Sequence, residues 1–227
     1  PATKPATQVD AETSITIAGN RDDFVSRGGH KLAGALDTFT DIKVEGKRCL
    51  DAGASTGGFT DVLLRRGADC VVAADVGYGQ LAWEIQQNPK VVILDRTNIR
   101  HLTGELVGDP IDLVVADLSF ISLTLVLPAL AAVSKPEADY VLMVKPQFEV
   151  GREKLGAGGV VRDPALRVSA IEEVAIAAAE NGLGVVGITA SRLPGPAGNV
   201  EYFLWLQSGG APFSHEKALK AVAEGPK

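Results

Sequence analysis

Four charged side chains in this chain have types and positions that suit acid–base chemistry. They are two lysines and two carboxylates, namely Lys31, Asp117, Lys145 and Glu201. Asp117 and Lys145 each close an apolar run with β-strand character, and ligands of open α/β sheets collect beyond the carboxyl ends of such strands. Because a lysine at that place is costly to desolvate alone, we expect Asp117 to pair with Lys145. The four residues together are charge neutral, which a partly closed site tolerates.

For each of these residues, the sequence pattern also allows a purely structural role without chemistry. Lys145 could extend from a sheet edge into water, and Asp117 could cap a helix predicted from about residue 122. Glu201 alternates with apolar neighbours as a solvent-facing strand residue does, and Lys31 could be an ordinary solvated helix lysine. The residue types therefore define a candidate site without deciding its chemistry.

A glycine-rich turn follows the first apolar strand run and opens an amphipathic segment. Gly53, Gly57 and Gly58 allow the backbone to turn sharply and allow a ligand to approach it closely. Ser55 and Thr56 are suited to cap the helix that follows. The turn lacks the lysine of a P-loop, and its glycines are not spaced as G-x-G-x-x-G. It is interpreted as a loop for a nucleotide-type cofactor, with a plain strand-to-helix turn as the alternative.

The residue that ends the next apolar run supports the cofactor interpretation. Asp75 follows residues 71–74, where a carboxylate can accept hydrogen bonds from both ribose hydroxyls of a bound adenosine. S-adenosylmethionine therefore fits this loop better than the cofactors of the two common phosphate signatures. No metal site is predicted, because Cys49 and Cys70 are not spaced as ligands and lie in strand runs as buried thiols.

Strand and helix patterns alternate around these residues and predict a parallel sheet with helices on both faces. The predicted strands cover residues 48–53, 70–75, 91–95, 111–117, 140–145, 185–190 and 200–206. The predicted helices cover about three turns after Ser26 and residues 57–66, 79–87, 122–134 and 164–181. The last two strands are joined by a turn-rich loop, which indicates an antiparallel hairpin. This α/β pattern, a seven-stranded mostly parallel sheet with a C-terminal antiparallel hairpin, is typical of the Rossmann-like fold of S-adenosylmethionine-dependent methyltransferases.

Composition limits the classes of partner. The chain has 227 residues, of which 46% are hydrophobic, and this content favours one well-filled domain. Its formal charge of −6 argues against gripping nucleic acid over the whole surface, so any such contact would be local. No apolar run approaches the roughly 18 to 20 residues of a membrane span. We expect a cytoplasmic protein that does not contact membranes.

Seven stretches of the sequence resemble the TlyA family, ribosomal RNA cytidine 2′-O-methyltransferases related to FtsJ-type enzymes. They are residues 25–32, 50–60, 74–81, 95–98, 116–122, 144–151 and 195–203, within a similarity that extends from about residue 20 to 207. The resemblance implies that S-adenosylmethionine is the methyl donor and that cytidine in 16S or 23S ribosomal RNA, within ribosomal subunits, is the acceptor. It favours a monomer.

The resemblance also implies a role for each candidate residue. Lys31, Asp117, Lys145 and Glu201 fall on the Lys-Asp-Lys-Glu tetrad of ribose 2′-O-methylation. The implied cofactor contacts are Gly53, Ala54, Ser55, Thr56, Gly57, Gly58, Phe59, Asp75, Val76, Gly77, Tyr78, Asp95, Arg96, Thr97, Asp117 and Phe120. We expect the glycine loop to border the methionine moiety. Asp75 is then expected at the ribose and Asp95 at the adenine edge.

The same resemblance divides the chain. Full-length members begin with an S4-like RNA-binding domain, and residues 1–22, with one edge strand at 13–17, are expected to be its remnant and linker. The methyltransferase domain is expected over residues 23–208. Residues 209–227 are expected to be a C-terminal extension, of which residues 215–227 resemble the extension of members that act on both ribosomal subunits. Because the chain begins at Pro1 and not at methionine, we expect that an upstream part was removed.

A glycine-rich loop over residues 150–163 is predicted to face RNA. It carries Arg152, Lys154 and Arg162 among its glycines, as a mobile lid over a nucleic-acid site would. A flexible surface loop without a role is the alternative.

Three other functions are possible at this point. Members of the family have been labelled haemolysins, which would make the protein membrane-active, but the acidic charge and the lack of a basic amphipathic helix argue against this. A catalytically silent RNA-binding module is disfavoured because all four charged residues are present. A methyltransferase with a non-ribosomal substrate would use the same fold.

Overall fold

The computed structural model describes residue 10 and residues 23–226. The strands are β1 Arg48–Ala52, β2 Cys70–Ala74, β3 Val91–Leu94, β4 Ile111–Ala116, β5 Ser134–Val144, β6 Leu183–Ala190 and β7 Tyr202–Ser208. The helices are α1 Arg27–Thr38, α2 Gly58–Arg65, α3 Trp83–Gln86, α4 Gly104–Val107, α5 Leu127–Ala132, α6 Pro146–Glu149, α7 Pro164–Glu180 and α8 His215–Glu224. Single 3₁₀ turns cover Ile99–His101, Leu123–Leu125, Arg152–Lys154 and Ala157–Gly159. The strand expected at 13–17 and the rest of the expected remnant, apart from residue 10, lie outside the described residues.

These strands form one sheet in the order β3-β2-β1-β4-β5-β7-β6. The pairs from β3 to β5 are all parallel, because a helix or helical turn carries the chain back between successive strands. Strand β7 pairs antiparallel with both β5 and β6. The predicted mostly parallel sheet with a C-terminal antiparallel hairpin is confirmed.

The core has two layers because successive strand residues point to opposite faces of the sheet. On one face, α1 and α2 bury Leu32 and Leu63 in a cluster that contains Cys49. On the other face, α5, α7 and α8 pack in a larger cluster that contains Leu50. Cys49 is buried as predicted, but Cys70 is only partly buried, because its sulfur lies at the start of β2 and accepts a hydrogen bond from Arg48.

Some element boundaries differ from the prediction for identifiable reasons. The helix predicted over 122–134 is divided into the turn Leu123–Leu125 and α5, because Pro128 has no amide hydrogen and can occupy only the first turn of a helix. The helix predicted over 79–87 is reduced to α3. Gly79 has a φ of +64°, which is not helical. Strand β5 begins at Ser134 and not at residue 140, and α8 was not predicted as a helix.

No helix in the described part of the chain is long and apolar enough to cross a lipid bilayer.

Candidate active site

The sheet brings three of the four candidate charged residues to one edge. Asp117 directly follows β4 and Lys145 directly follows β5, and these strands are neighbours. Glu201 directly precedes β7, whose first residue pairs with the last residue of β5. Because β7 runs against β5, its beginning lies where the parallel strands end. The three side chains therefore start from adjacent strands at the carboxyl edge.

Lys145 is buried and paired with a carboxylate. Its Nζ lies 2.5 Å from Asp117 Oδ1 and donates a hydrogen bond of 3.0 Å to Ser119 Oγ. Only 10% of the lysine side chain is exposed, so the ammonium does not extend into water. The contact with Asp117 is electrostatic, since Oδ1 accepts no well-directed hydrogen bond from a described residue. This ion pair offsets the cost of desolvating the ammonium.

Lys31 and Glu201 form a second buried ion pair. Lys31 lies on α1, and its Nζ donates to Glu201 Oε2 at 2.5 Å. Both side chains are buried, with 2% of Glu201 exposed. A Cβ atom on Gly195 would lie 2.8 Å from Glu201 Oε1, so the glycine allows the hairpin loop to pass close to this carboxylate. The structure thus joins all four candidate residues in two lysine–carboxylate pairs.

The glycine loop at the end of β1 is shaped by backbone conformations that favour glycine. Gly53 has a φ of +90°, and a Cβ atom there would lie 2.6 Å from the carbonyl oxygen of Asp117. Gly57 has a φ of +93° and is the residue that precedes α2. The predicted capping of this helix by Ser55 or Thr56 is wrong, because the left-handed turn at Gly57 separates both side chains from the first helical turn, and no side chain caps it.

Asp75 holds the glycine loop against the turn that follows β2. Its Oδ2 accepts a hydrogen bond of 2.9 Å from the Ser55 amide, and its Oδ1 accepts one of 2.7 Å from the Gly77 amide. Each carboxylate oxygen has a second acceptor position. The carboxylate is therefore fixed in place with the capacity to accept ribose hydroxyls.

A cleft of about 490 Å³ lies between these loops and the segment after β4. The predicted contact residues that line it are Gly53, Ser55, Asp75, Val76, Asp117 and Phe120. Its other lining residues, which the sequence did not identify, are Gln80, Asn98, Ile99, Leu118, Ser119 and Ile121. The stretches 95–98 and 116–122 contain several of them, so the resemblance was the signal that could have found them. The cleft opens directly beside the Lys145–Asp117 pair.

The remaining predicted contacts lie around this cleft. A cavity of about 100 Å³ is lined by Gly53, Ala54, Ser55, Thr56, Gly58, Phe59 and Asp117. Tyr78 and Asp95 line a separate depression of about 140 Å³. Arg96 stacks over the Tyr78 ring at 4.4 Å, and the Thr97 amide donates to the Asp75 carbonyl. The structure therefore brings the predicted residues of the glycine loop, Asp75, Val76 and Phe120 together, and it places Tyr78 and Asp95 at a separate depression.

Asp51 is a buried carboxyl group beneath the glycine loop that the sequence did not identify. It lies on β1 with 0% exposure, and Thr60 on α2 donates a hydrogen bond of 2.7 Å to its Oδ2. Burial raises the pKa of Asp51 to about 7, and the bond from Thr60 opposes part of this effect. Its Oδ1 has no hydrogen-bond partner among the described residues. The sequence pattern that indicated Asp117 and Lys145, a charged residue directly after a strand, does not indicate Asp51, because Asp51 lies within β1.

The loop over residues 150–163 is tethered near its end by one buried side chain. Asn199 accepts a hydrogen bond of 2.9 Å from the Val161 amide and donates one of 3.0 Å to the Gly159 carbonyl. The basic residues Arg152, Lys154 and Arg162 are exposed. The loop is thus connected to the segment that leads into Glu201.

Comparison with known proteins identifies the family. Residues 24–208 match the model of the family described as FtsJ-like methyltransferase. The chain is 57% identical, over 232 aligned residues, to the 16S/23S rRNA (cytidine-2′-O)-methyltransferase TlyA of Mycobacterium tuberculosis, and this match covers 100% of the chain and 86% of that protein. It is 35% identical to the 23S rRNA (cytidine-2′-O)-methyltransferase TlyA of Campylobacter jejuni, with 80% of this chain and 70% of that protein covered.

A solved structure agrees with these sequence matches. A protein described as a hemolysin from Streptococcus thermophilus superposes with a TM-score of 0.85 at 38% identity, which covers 91% of this chain and 75% of that chain. At this identity the likeness extends beyond the fold. The family expected from the seven sequence stretches is confirmed, and the chain belongs to the TlyA family of FtsJ-like methyltransferases.

Proposed function

We propose that this protein transfers a methyl group from S-adenosylmethionine to the ribose 2′-hydroxyl of a cytidine in ribosomal RNA. The observation that carries the proposal is the pair of buried ion pairs, Lys145–Asp117 and Lys31–Glu201, at one edge of the sheet. The relatives from M. tuberculosis and C. jejuni are named for this reaction, on 16S and 23S or on 23S ribosomal RNA. With ribosomal subunits as partners, the protein would act in the cytoplasm.

The residues around the cleft fit S-adenosylmethionine. The left-handed backbone at Gly53 and the absence of a Cβ atom there let the loop pack against the Asp117 carbonyl, so that the loop and Asp117 line the same cleft. Asp75 is held by two backbone amides, in an orientation that suits ribose hydroxyls. Asp75 and Asp117 line the cleft, and their negative charge favours a cationic ligand. When bound, the cofactor supplies an electrophilic methyl group on a sulfonium.

Lys145 is proposed as the group that activates the acceptor hydroxyl. A ribose hydroxyl is a poor nucleophile at neutral pH, so the site must lower the cost of removing its proton. A neutral Lys145 would accept that proton, and a cationic Lys145 would stabilise the oxyanion as it forms. Both roles require Nζ where Asp117 and Ser119 hold it.

Lys31 and Glu201 are proposed to complete the acceptor side. Lys31 adds a second positive charge near the developing oxyanion, and Glu201 fixes the direction of the Lys31 side chain through their 2.5 Å contact. The basic residues Arg152, Lys154 and Arg162 are proposed to contact RNA phosphates. Such local contacts are compatible with the net charge of −6.

Replacing Lys145 tests the proposal. We expect Lys145→Ala to lower kcat for methyl transfer by at least about 100-fold, because it removes the group that acts on the hydroxyl proton. Tritium transfer from labelled S-adenosylmethionine to isolated 30S and 50S subunits measures the rate, with any missing N-terminal domain restored. Lys217→Ala changes an exposed lysine on α8 and serves as the matched control.

Two outcomes would contradict the proposal. Substantial transfer by the Lys145→Ala protein would remove Lys145 from the reaction. Failure of the unaltered protein to methylate either subunit would remove ribosomal RNA as the substrate. A liposome-leakage assay with the same preparation tests whether the protein disrupts membranes, which the hemolysin description of the S. thermophilus relative would require.

A further inference from the structure

Two chain segments that carry the candidate site are joined at three places. The first segment, residues 117–123, follows β4, and we call it the cleft segment because residues 117–121 line the cleft. The second comprises Lys145 and α6. Lys145 contacts Asp117 and Ser119 at the beginning of the cleft segment. Phe148 contacts Phe120 in its middle, with ring centroids 5.2 Å apart.

The third connection is made by Glu149, at the far end of the cleft segment. Its Oε2 accepts a hydrogen bond of 2.5 Å from Ser122 Oγ, and its Oε1 accepts one of 3.0 Å from the Leu123 amide. The two oxygens of one carboxylate therefore bind two consecutive residues, one each. Burial raises the pKa of Glu149, the two hydrogen bonds oppose this effect, and the nearby Glu173 on α7 adds to it. Burial of this carboxylate is unfavourable, and the two hydrogen bonds that it accepts from the cleft segment offset that cost.

The cleft segment needs such an anchor because its backbone is strained. Phe120 has a φ of +63°, a left-handed conformation that a residue with a Cβ atom adopts only when its surroundings impose it. Its side chain is 92% exposed, so burial of the ring does not hold the backbone in place. The conformation is therefore maintained by the contact with Phe148 and by the two ends of the segment. Asp117 fixes one end through Lys145, and Glu149 fixes the other.

We propose that Glu149 is a positioning residue for methyl transfer, which fixes the cleft segment so that Asp117 and Ser119 hold Lys145 Nζ towards the acceptor. This inference rests on the proposed function for the identity of the reaction. Glu149 itself does not touch the reacting atoms. It acts by maintaining both the wall of the cofactor cleft and the surroundings of the lysine.

Replacement of the carboxylate tests this role. In Glu149→Ala, both hydrogen bonds are lost, and we expect kcat to fall by at least about tenfold, because a misplacement of about 1 Å in a reacting group can cost about 100-fold in rate. Affinity for S-adenosylmethionine, measured by calorimetry, should fall several-fold because residues 117–121 line the cleft. The pH profile of kcat should change as well, because Asp117 and Ser119 then no longer hold Lys145 Nζ in one place.

Three further variants separate positioning from general stability. Glu149→Gln keeps an oxygen for the Leu123 amide and offers a donor to Ser122, so activity should stay within about threefold of the unaltered protein. Ser122→Ala removes one of the two bonds to Glu149 and also the bond that Ser122 Oγ accepts from the Thr124 amide. It should shift kcat and the pH profile in the same direction as Glu149→Ala, and it replaces that variant if Glu149→Ala does not fold. Glu180→Ala, at the exposed end of α7, is the control.

The proposal is overturned if Glu149→Ala, or Ser122→Ala in its place, keeps the kcat and pH profile of the unaltered protein. If the unaltered protein transfers no methyl group to ribosomal RNA, the proposed function fails on its own. In that case the calorimetric comparison decides the role of Glu149: unchanged cofactor affinity in the variant overturns it, and weakened affinity supports it.

Discussion

Asp51 makes the stability of the protein depend on pH in an unusual direction. Most carboxylates in folded proteins have lowered pKa values and stabilise the fold as the pH rises. Here burial raises the pKa of Asp51 from 3.8 to about 7. Between these values the folded protein keeps a proton that the unfolded chain has released. The contribution of Asp51 to the free energy of unfolding therefore falls as the pH rises through this window, and it remains low above pH 7.

Replacing Asp51 with asparagine should remove this dependence. Relative to the unaltered protein, Asp51→Asn should gain about 4 kcal/mol in free energy of unfolding between pH 4 and pH 8, since one pKa unit corresponds to about 1.4 kcal/mol. Urea denaturation at several pH values, followed by tryptophan fluorescence, measures this difference. Asp69→Asn alters an exposed aspartate and should show no comparable trend. A gap between Asp51→Asn and the unaltered protein that stays constant with pH would contradict the assignment.

At the scale of elements, the first turns of α1 and α2 pack closely because Gly58 has no side chain. A Cβ atom on Gly58 would lie 2.1 Å from Ser26 Oγ and 2.9 Å from the Gly29 amide nitrogen. The second contact is with backbone, which cannot rotate away. Close approach of these helix ends places α1, with Lys31, beside the glycine loop.

Gly58→Ala should therefore force the two helices apart. We expect a loss of about 2 kcal/mol in free energy of unfolding, the usual effect of overpacking a tight contact. Cofactor affinity should weaken as well, because α2 begins directly after the glycine loop; calorimetry and urea denaturation measure the two effects. Gly104→Ala is the matched control, since a Cβ atom there would have no neighbour within 4 Å. Equal behaviour of the two variants would refute the packing argument.

The periodic elements were predictable because apolar runs and turn residues encode them locally. The first part of β5 was missed because Lys135, Pro136 and Glu137 are not typical of a strand, and its pairing with β4 is interrupted by a register shift. The Lys145–Asp117 pair was predictable because the two residues end consecutive strands that are neighbours in the sheet. The Lys31–Glu201 pair joins residues 170 positions apart and depends on the reversed direction of β7, so the sequence placed both residues in the candidate site without pairing them.

At the scale of the whole molecule, α8 is part of the main core. Ala218, Ala221 and Val222 are buried in the same cluster as the central strands, and α8 packs against α7 and β6. The last helix should therefore unfold together with the sheet. Trp205 on β7 is buried and Trp83 is exposed, so a change in the environment of Trp205 reports on the core.

A pair of adjacent substitutions tests this cooperativity. Ala218→Asp places a charge at a position with 0% exposure and should lower the free energy of unfolding by about 3 kcal/mol. Leu219→Asp, at a position that is 49% exposed, should have little effect. Circular dichroism and tryptophan fluorescence should give the same transition in each protein. A separate early loss of helical signal would show that α8 melts independently.

The reversed direction of β7 brings a late part of the chain to the candidate site. The cleft proposed for the methyl donor is built from loops that follow β1, β2, β3 and β4, all within the first 121 residues, as its lining shows. Glu201 instead comes from the loop that precedes β7, together with Asn199 and Gly195. The described residues that line the cleft include none from that hairpin loop. Substitutions in the hairpin loop are therefore expected to alter the Lys31–Glu201 pair while the walls of the cleft stay unchanged.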